Sequence, residues 1–186
     1  MPRALKLGLM SAALVGFGVL WGSAQTLDKP ASPFARQTID FGIVCSNAEK
    51  SIAFYKDVLG CTQLEGFDAP GQFATDIGLT DGLSFHVDVM TLGSDESATK
   101  IKLMSFPTSP GARVDQRFIH SSYGIRYLTL FVTDLNASVA KAEAAGTKPI
   151  GKGAVPLPAG FPEGMGLATF RDPDGNFIEL VGPLKK

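Results

Sequence analysis

Between residues 83 and 92 the side chains alternate, with Leu83, Phe85, Val87 and Val89 on one side and Ser84, His86, Asp88 and Met90 on the other. A period of two is that of a β-strand, whose successive side chains leave opposite faces of the sheet. The apolar side suits packing against helices, so the side carrying His86 and Asp88 is expected to face an inner hollow. Residues 177–181 alternate too: Phe177, Glu179 and Val181 share one face, Ile178 and Leu180 the other. Glu179 is therefore an acid set mid-strand among large apolar neighbours, where a charge needs a partner or a task. Just ahead of it, Arg171-Asp172-Pro173-Asp174-Gly175-Asn176 has the order of a hairpin turn. Pro173 presets one turn dihedral and Gly175 can take a positive φ.

Residues 39–45 and 127–132 are rich in branched and aromatic side chains and read as strands, as does 98–106. Helical spacing follows each of the first two. Ser46 and Glu49 make a capping box ahead of Ile52, Tyr55 and Leu59, with Gly60 as the stop; Asp134 caps a helix bearing Leu135, Val139 and Ala142, and Gly146 ends it. Residues 67–82 read as one short strand and a long loop. Residues 149–166, with Pro156, Pro158 and Pro162, read as a long loop lying over one end of the fold. Strand, helix and further strands thus occur twice, the mark of one supersecondary unit used twice. The pair is expected to form one α+β domain, a strongly curved sheet with helices outside and a cup inside.

The front of the chain adds a destination. Arg3 and Lys6 precede an apolar run over 7–21, and Gly22-Ser23-Ala24 supplies small residues before Gln25, the pattern of a secretory signal peptide. The run is short for a membrane span, so residues 1–24 are expected to be cut away and the rest to be periplasmic or secreted; an uncleaved anchor is the alternative. Residues 25–36, with Pro30 and Pro33, read as a linker. Beyond residue 24, 15 basic and 18 acidic side chains leave a charge of about −3 with no basic cluster, which argues against nucleic acid as a partner. Cys45 and Cys61 are the two cysteines. An exported chain permits a disulfide between them, and two buried thiols are the alternative.

The run Asn47-Ala48-Glu49-Lys50-Ser51-Ile52-Ala53-Phe54-Tyr55-Lys56-Asp57-Val58-Leu59-Gly60, the hairpin from Arg171 to Leu180 and the two half-repeats together resemble the vicinal oxygen chelate superfamily, the glyoxalase, bleomycin-resistance and extradiol-dioxygenase group. The resemblance spans about residues 37–183. It implies paired βαβββ modules, about 37–106 and 122–183, within a domain over 37–186, and a small-molecule ligand held between them. By analogy it also implies a homodimer. The reaction stays open, since this fold hosts lyases, oxygenases, transferases and plain binders.

Metal ligands in such enzymes come from the starts of the two half-repeat first strands, the fourth strand and the last strand. Carried onto this chain, those positions are Asp40, Tyr127, Lys102 and Glu179. Only Glu179 is a residue usual there. Neutral tyrosine binds divalent ions poorly and a charged lysine donates no lone pair, so an ordinary zinc, nickel or iron site is not expected. A divalent ion held by Glu179, Asp40 and His86, with Asp88 beside them, is the other route; His86 hydrogen-bonded to Asp88 or a loop carbonyl is the plainer one. His120, with Ser121 and Ser122, falls in a loop before the second repeat.

Without metal, Lys102 would depress its nearer acid while the other, raised by burial, could take a proton beside a carbonyl; Tyr127 could stabilise the oxyanion. A structural Lys102–Glu179 ion pair is the alternative. The candidate catalytic residues are thus Glu179, Asp40, Tyr127 and Lys102, and the candidate substrate-binding residues His86, Asp88 and Thr129. Two functions follow: a glyoxalase- or dioxygenase-like enzyme acting on a small oxygenated molecule, and a non-catalytic binding or sequestering protein of the bleomycin-resistance type. An envelope interaction module without a pocket ligand is a third.

Overall fold

β1 (Phe41–Val44) leads to Asn47, whose side chain accepts from the Lys50 amide at 2.9 Å and so caps α1 (Ala48–Ala53). The cap is Asn47 rather than Ser46, whose amide donates to Asp174 at 3.0 Å. The helix continues as a π-helical turn, Phe54–Val58, and Phe54, Tyr55 and Val58 are all buried there. Gly60 closes it at φ +86°, a conformation that Cβ-bearing residues rarely adopt. β2 (Thr62–Ala69), the short helix α2 (Gly71–Asp76), β3 (Phe85–Thr91) and β4 (Lys100–Ser105) complete the first module. The expected short strand and loop over 67–82 is therefore the end of a long strand followed by a helix.

The second module repeats the plan with β5 (Tyr127–Phe131), α3 (Leu135–Ala144), β6 (Ile150–Pro156), β7 (Met165–Arg171) and β8 (Phe177–Pro183). Asp134 caps α3 through the Ala137 amide at 2.9 Å. Much of the expected loop over 149–166 is β6, an edge strand, the place in a sheet that tolerates Pro156. The two sheets share one order, β1-β4-β3-β2 and β5-β8-β7-β6, and in each the module's first and last strands pair in parallel.

The computed structural model describes residues 33–109 and 111–185. The signal-peptide reading of 1–24, and the linker reading over all but its last residues, lie outside the described residues. One compact unit spans Arg36–Lys186, and among the described residues no helix is long and apolar enough to cross a membrane.

Both modules contribute to one apolar core. Tyr55, Met90, Ile101 and Leu103 of the first module cluster with Leu135, Phe170, Ile178 and Leu180 of the second. Each such side chain, taken out of water, stabilises the fold by roughly 1.5–3 kcal/mol before the entropy of ordering it is counted. This core lies on the helix face of each sheet. A smaller cluster, Ala69, Ala74, Phe85, Val87 and Val89, covers part of the opposite face of the first sheet beneath α2.

That second cluster reverses one expectation. Met90 is fully buried in the main core, so β3 turns Met90, Asp88 and His86 toward the helix face and its apolar side toward α2. The apolar side found its helix, but on the other surface of the sheet. Cys45 and Cys61 are buried free thiols.

The hairpin between β7 and β8 ties the modules together. Asp172, only 6 % exposed, accepts from Tyr55 Oη at 3.1 Å, Asn176 Nδ2 at 2.8 Å and the amides of Asp174 (3.0 Å) and Asn176 (2.8 Å). Gly175, at φ +90°, allows the turn that aims those amides inward. Tyr55 belongs to the first module and Asp172 to the second, so this buried carboxylate joins the two halves.

Candidate functional site

Register sets which side chains share the open faces, the sheet surfaces turned away from the main core. In the first sheet Lys102 lies level with Gly42 of β1 and Val89 of β3, while its strand neighbours Ile101 and Leu103 enter the main core. Lys102 therefore projects from the open face, and Asp40, just ahead of β1, meets it there. Lys102 Nζ lies 3.3 Å from Asp40 Oδ2, and Arg36 Nη2 lies 2.8 Å from Oδ1. The Lys100 amide also donates to Oδ1 at 3.3 Å. Burial alone would raise the Asp40 carboxyl; Arg36, the Lys100 amide and Lys102 outweigh it and hold the group below the usual aspartate value. Arg36, assigned by sequence to the linker, was missed as a partner, although it stands four residues before Asp40.

In the second sheet Glu179 lies level with Thr129 of β5 and Thr169 of β7. Its Oε2 accepts from Thr129 Oγ1 at 2.9 Å. Tyr127 sits two residues earlier on the same face and is half exposed. The carboxylate thus has a hydroxyl partner from the strand beside it. The lysine pairs with Asp40, so the alternative of a Lys102–Glu179 ion pair is not formed.

His86 belongs to neither group. Its Nδ1 lies 2.7 Å from Asp68 Oδ1, and its Nε2 lies 3.6 Å from Asp88 Oδ1. The hydrogen bond to Asp68 is the main reason its pKa stands above the ordinary histidine value; partial burial opposes this, and Asp88 adds to it. Because β3 turns His86 toward the helix face while Asp40 meets Lys102 on the open face, the grouping of Glu179, Asp40 and His86 expected to hold a metal is not assembled. Among the described residues no group of three or more His, Cys, Asp or Glu is placed to hold an ion. Asp68 is the partner that sequence reasoning missed, since its pairing depends on the register of β2 against β3.

A cleft of about 610 Å³ opens between the modules. Its walls come from the ends of β1 and β4 (Val44, Ser105), from Phe106 and Arg113 of the connecting segment, and from Asp174 and Asn176 of the hairpin. Arg113 Nη2 stands 3.7 Å from Asp174 Oδ1 across the opening. The volume suits a small organic molecule. In the same connecting segment His120 stacks on Phe118, ring centroids 5.5 Å apart. Ser121 Oγ accepts from the Phe118 amide, and Ser122 Oγ donates to the Asp115 carbonyl, so both hydroxyls serve local turns.

The fold has counterparts among known proteins. A glyoxalase family protein from Bacillus cereus matches with a TM-score of 0.68 at 18 % identity, over 84 % of this chain and 99 % of its own. A glyoxalase I mutant from Zea mays matches with a TM-score of 0.58 at 15 % identity, over 79 % of this chain and 47 % of its own. The trypanothione-dependent glyoxalase I of Leishmania major gives 0.53 at 21 % identity, over 80 % of this chain and 87 % of its own. At such identities the likeness is one of fold. No curated protein sequence matches. The sequence profile of one family matches residues 38–180, most of the chain and both modules. This chain belongs to the Glyoxalase/Bleomycin resistance protein/Dioxygenase superfamily.

Proposed function

We propose that this is an exported small-molecule-binding protein of the bleomycin-resistance type, working without a metal ion at the positions where related enzymes hold one. The observation that carries the reading is the Lys102 ammonium, 3.3 Å from Asp40. A divalent ion needs converging lone pairs, and here the donor at one position is an ammonium while the carboxylate at another is already shared between that ammonium and Arg36. The residues present do not fit the group. Bringing an ion there would mean losing two ion pairs and placing positive charge beside positive charge.

The cleft of about 610 Å³ supplies room for the ligand. Export follows from the signal-peptide pattern of Arg3, Lys6, the apolar run over 7–21 and Gly22-Ser23-Ala24. Elemental analysis of the protein purified from the periplasm, with thermal shifts on adding nickel, zinc, manganese and iron, tests the reading. The expected result is no stoichiometric ion and no rise in Tm with any of the four. A stoichiometric ion that is lost in Glu179→Gln would overturn it.

A further inference from the structure

We infer that Lys102 and Arg36 form an anion subsite on the open face of the first sheet, taking the carboxylate of a small organic acid where relatives would place a metal. The inference rests on the metal-independent reading above and adds the class of ligand. Two cations converge on one carboxylate, so the cluster carries a net positive charge of one. An ammonium has three N–H donors, and Lys102 shows one partner among the described residues, Asp40. Its side chain is 38 % exposed and that of Arg36 is 40 % exposed, whereas Asp40 beneath them is 17 % exposed. The acid is sunk and the cations are reachable.

The neighbours of Lys102 on this face are small or apolar. Gly42 stands level with it on β1 and is covered by the thioether of Met104. A Cβ built there would come within 3.0 Å of Met104 Cε, so even a methyl group would crowd the thioether that occupies this surface. Val44, half exposed on the same face and part of the cleft wall, gives a hydrocarbon body something to rest on. An oxyanion with an apolar or hydroxylated body matches this arrangement. Spare N–H donors answer its oxygens, as a metal ion would have done by Lewis acidity. Arg36 offers a planar fork, and Lys102 a compact point charge that follows the ligand. A cationic ligand would meet two positive groups and be rejected.

Calorimetric titration of the full folded protein with acetate, lactate, pyruvate and benzoate, each against its amide and at fixed ionic strength, tests the inference. At least one acid is expected to bind ten-fold or more tightly than its amide. Lys102→Met should weaken the acid at least ten-fold and leave the amide unchanged, and Arg36→Gln, whose parent residue is held more closely by Asp40 (2.8 Å against 3.3 Å), should weaken the acid less. Circular dichroism and Tm confirm that each variant is folded. Equal binding of acids and amides, no binding of any acid, or an acid affinity unchanged in both variants would overturn the subsite. Amide binding at acid strength, insensitive to a chelator, would remove the subsite and leave the metal-independent binder standing. Acid binding that a chelator abolishes would remove that reading as well.

Discussion

The Tyr55–Asp172 contact gives the sharpest test of how the two modules hold together. Tyr55→Phe removes one hydroxyl from a fully buried ring and leaves the ring itself in the core. Asp172 keeps three other donors, so no carboxylate is stranded. A hydrogen bond to a charged acceptor contributes about 1.5–3 kcal/mol, and the low end applies here because the remaining donors partly compensate. Asp172→Ala is harsher. It strands the Tyr55 hydroxyl and two backbone amides inside the hairpin, an expected cost of about 3–5 kcal/mol. With the acceptor gone, Tyr55→Phe should then cost almost nothing, so the double mutant should show a coupling of about 1–2 kcal/mol. Urea denaturation followed by circular dichroism reads these differences. For Tyr55→Phe the midpoint should fall by roughly 0.5–1 M with an unchanged slope, or Tm by about 3–6 °C. A Tyr55→Phe protein within about 0.5 kcal/mol of the parent, or a coupling indistinguishable from zero, would show that the halves do not depend on this bond.

Two further outcomes follow from the buried and paired titrating groups. Burial pushes the Cys61 thiol up to about 11, slightly offset by Lys141, so the stability it confers is fully present below the ordinary thiol value of 9 and lost as pH rises through 11. Denaturation of the parent between pH 9 and 11 should show a loss on the order of 2 kcal/mol that Cys61→Ala lacks, and equal slopes would contradict it. His86, raised by its bond to Asp68, contributes stability that is complete below the ordinary histidine value and fades as pH rises through its higher folded one. An NMR titration of the imidazole should therefore run above that ordinary value and move back toward it in Asp68→Asn; a titration at or below it in the parent would contradict the pairing.

Local chemistry made much of the fold legible. Asp134 capped its helix, Gly60 and Gly146 lay just past helix ends, and Pro173 with Gly175 formed the hairpin, because each effect acts within a few residues. Helix α2 was not legible, since six residues beginning at Gly71 are too few to display a helical period. That omission carried into the site. Alternation along β3 divided its side chains correctly into two sets, but which set met which surface depended on α2, whose Ala74 packs with Phe85, Val87 and Val89. His86 was accordingly given the wrong face. The partner of Lys102 was hidden for a related reason: its meeting with Asp40 follows from the parallel pairing of β1 with β4, a contact across some sixty residues that no local pattern reports.

The same alternation explains how a lysine came to stand at such a position without disturbing the architecture. Along β4, Ile101 and Leu103 enter the main core and Lys102 leaves by the other surface; along β8, Ile178 and Leu180 enter it and Glu179 leaves. Strand register is fixed by the buried set, because a slip of one residue would carry every apolar side chain out of the core. The projecting set bears none of that constraint. Charge at residues 40, 102, 127 and 179 is therefore free to differ while both sheets keep their order, and here two cations stand around one acid. Fold membership and site chemistry are written on opposite faces of the same strands, which is why the family follows from the buried pattern and the kind of ligand has to be argued from the exposed one.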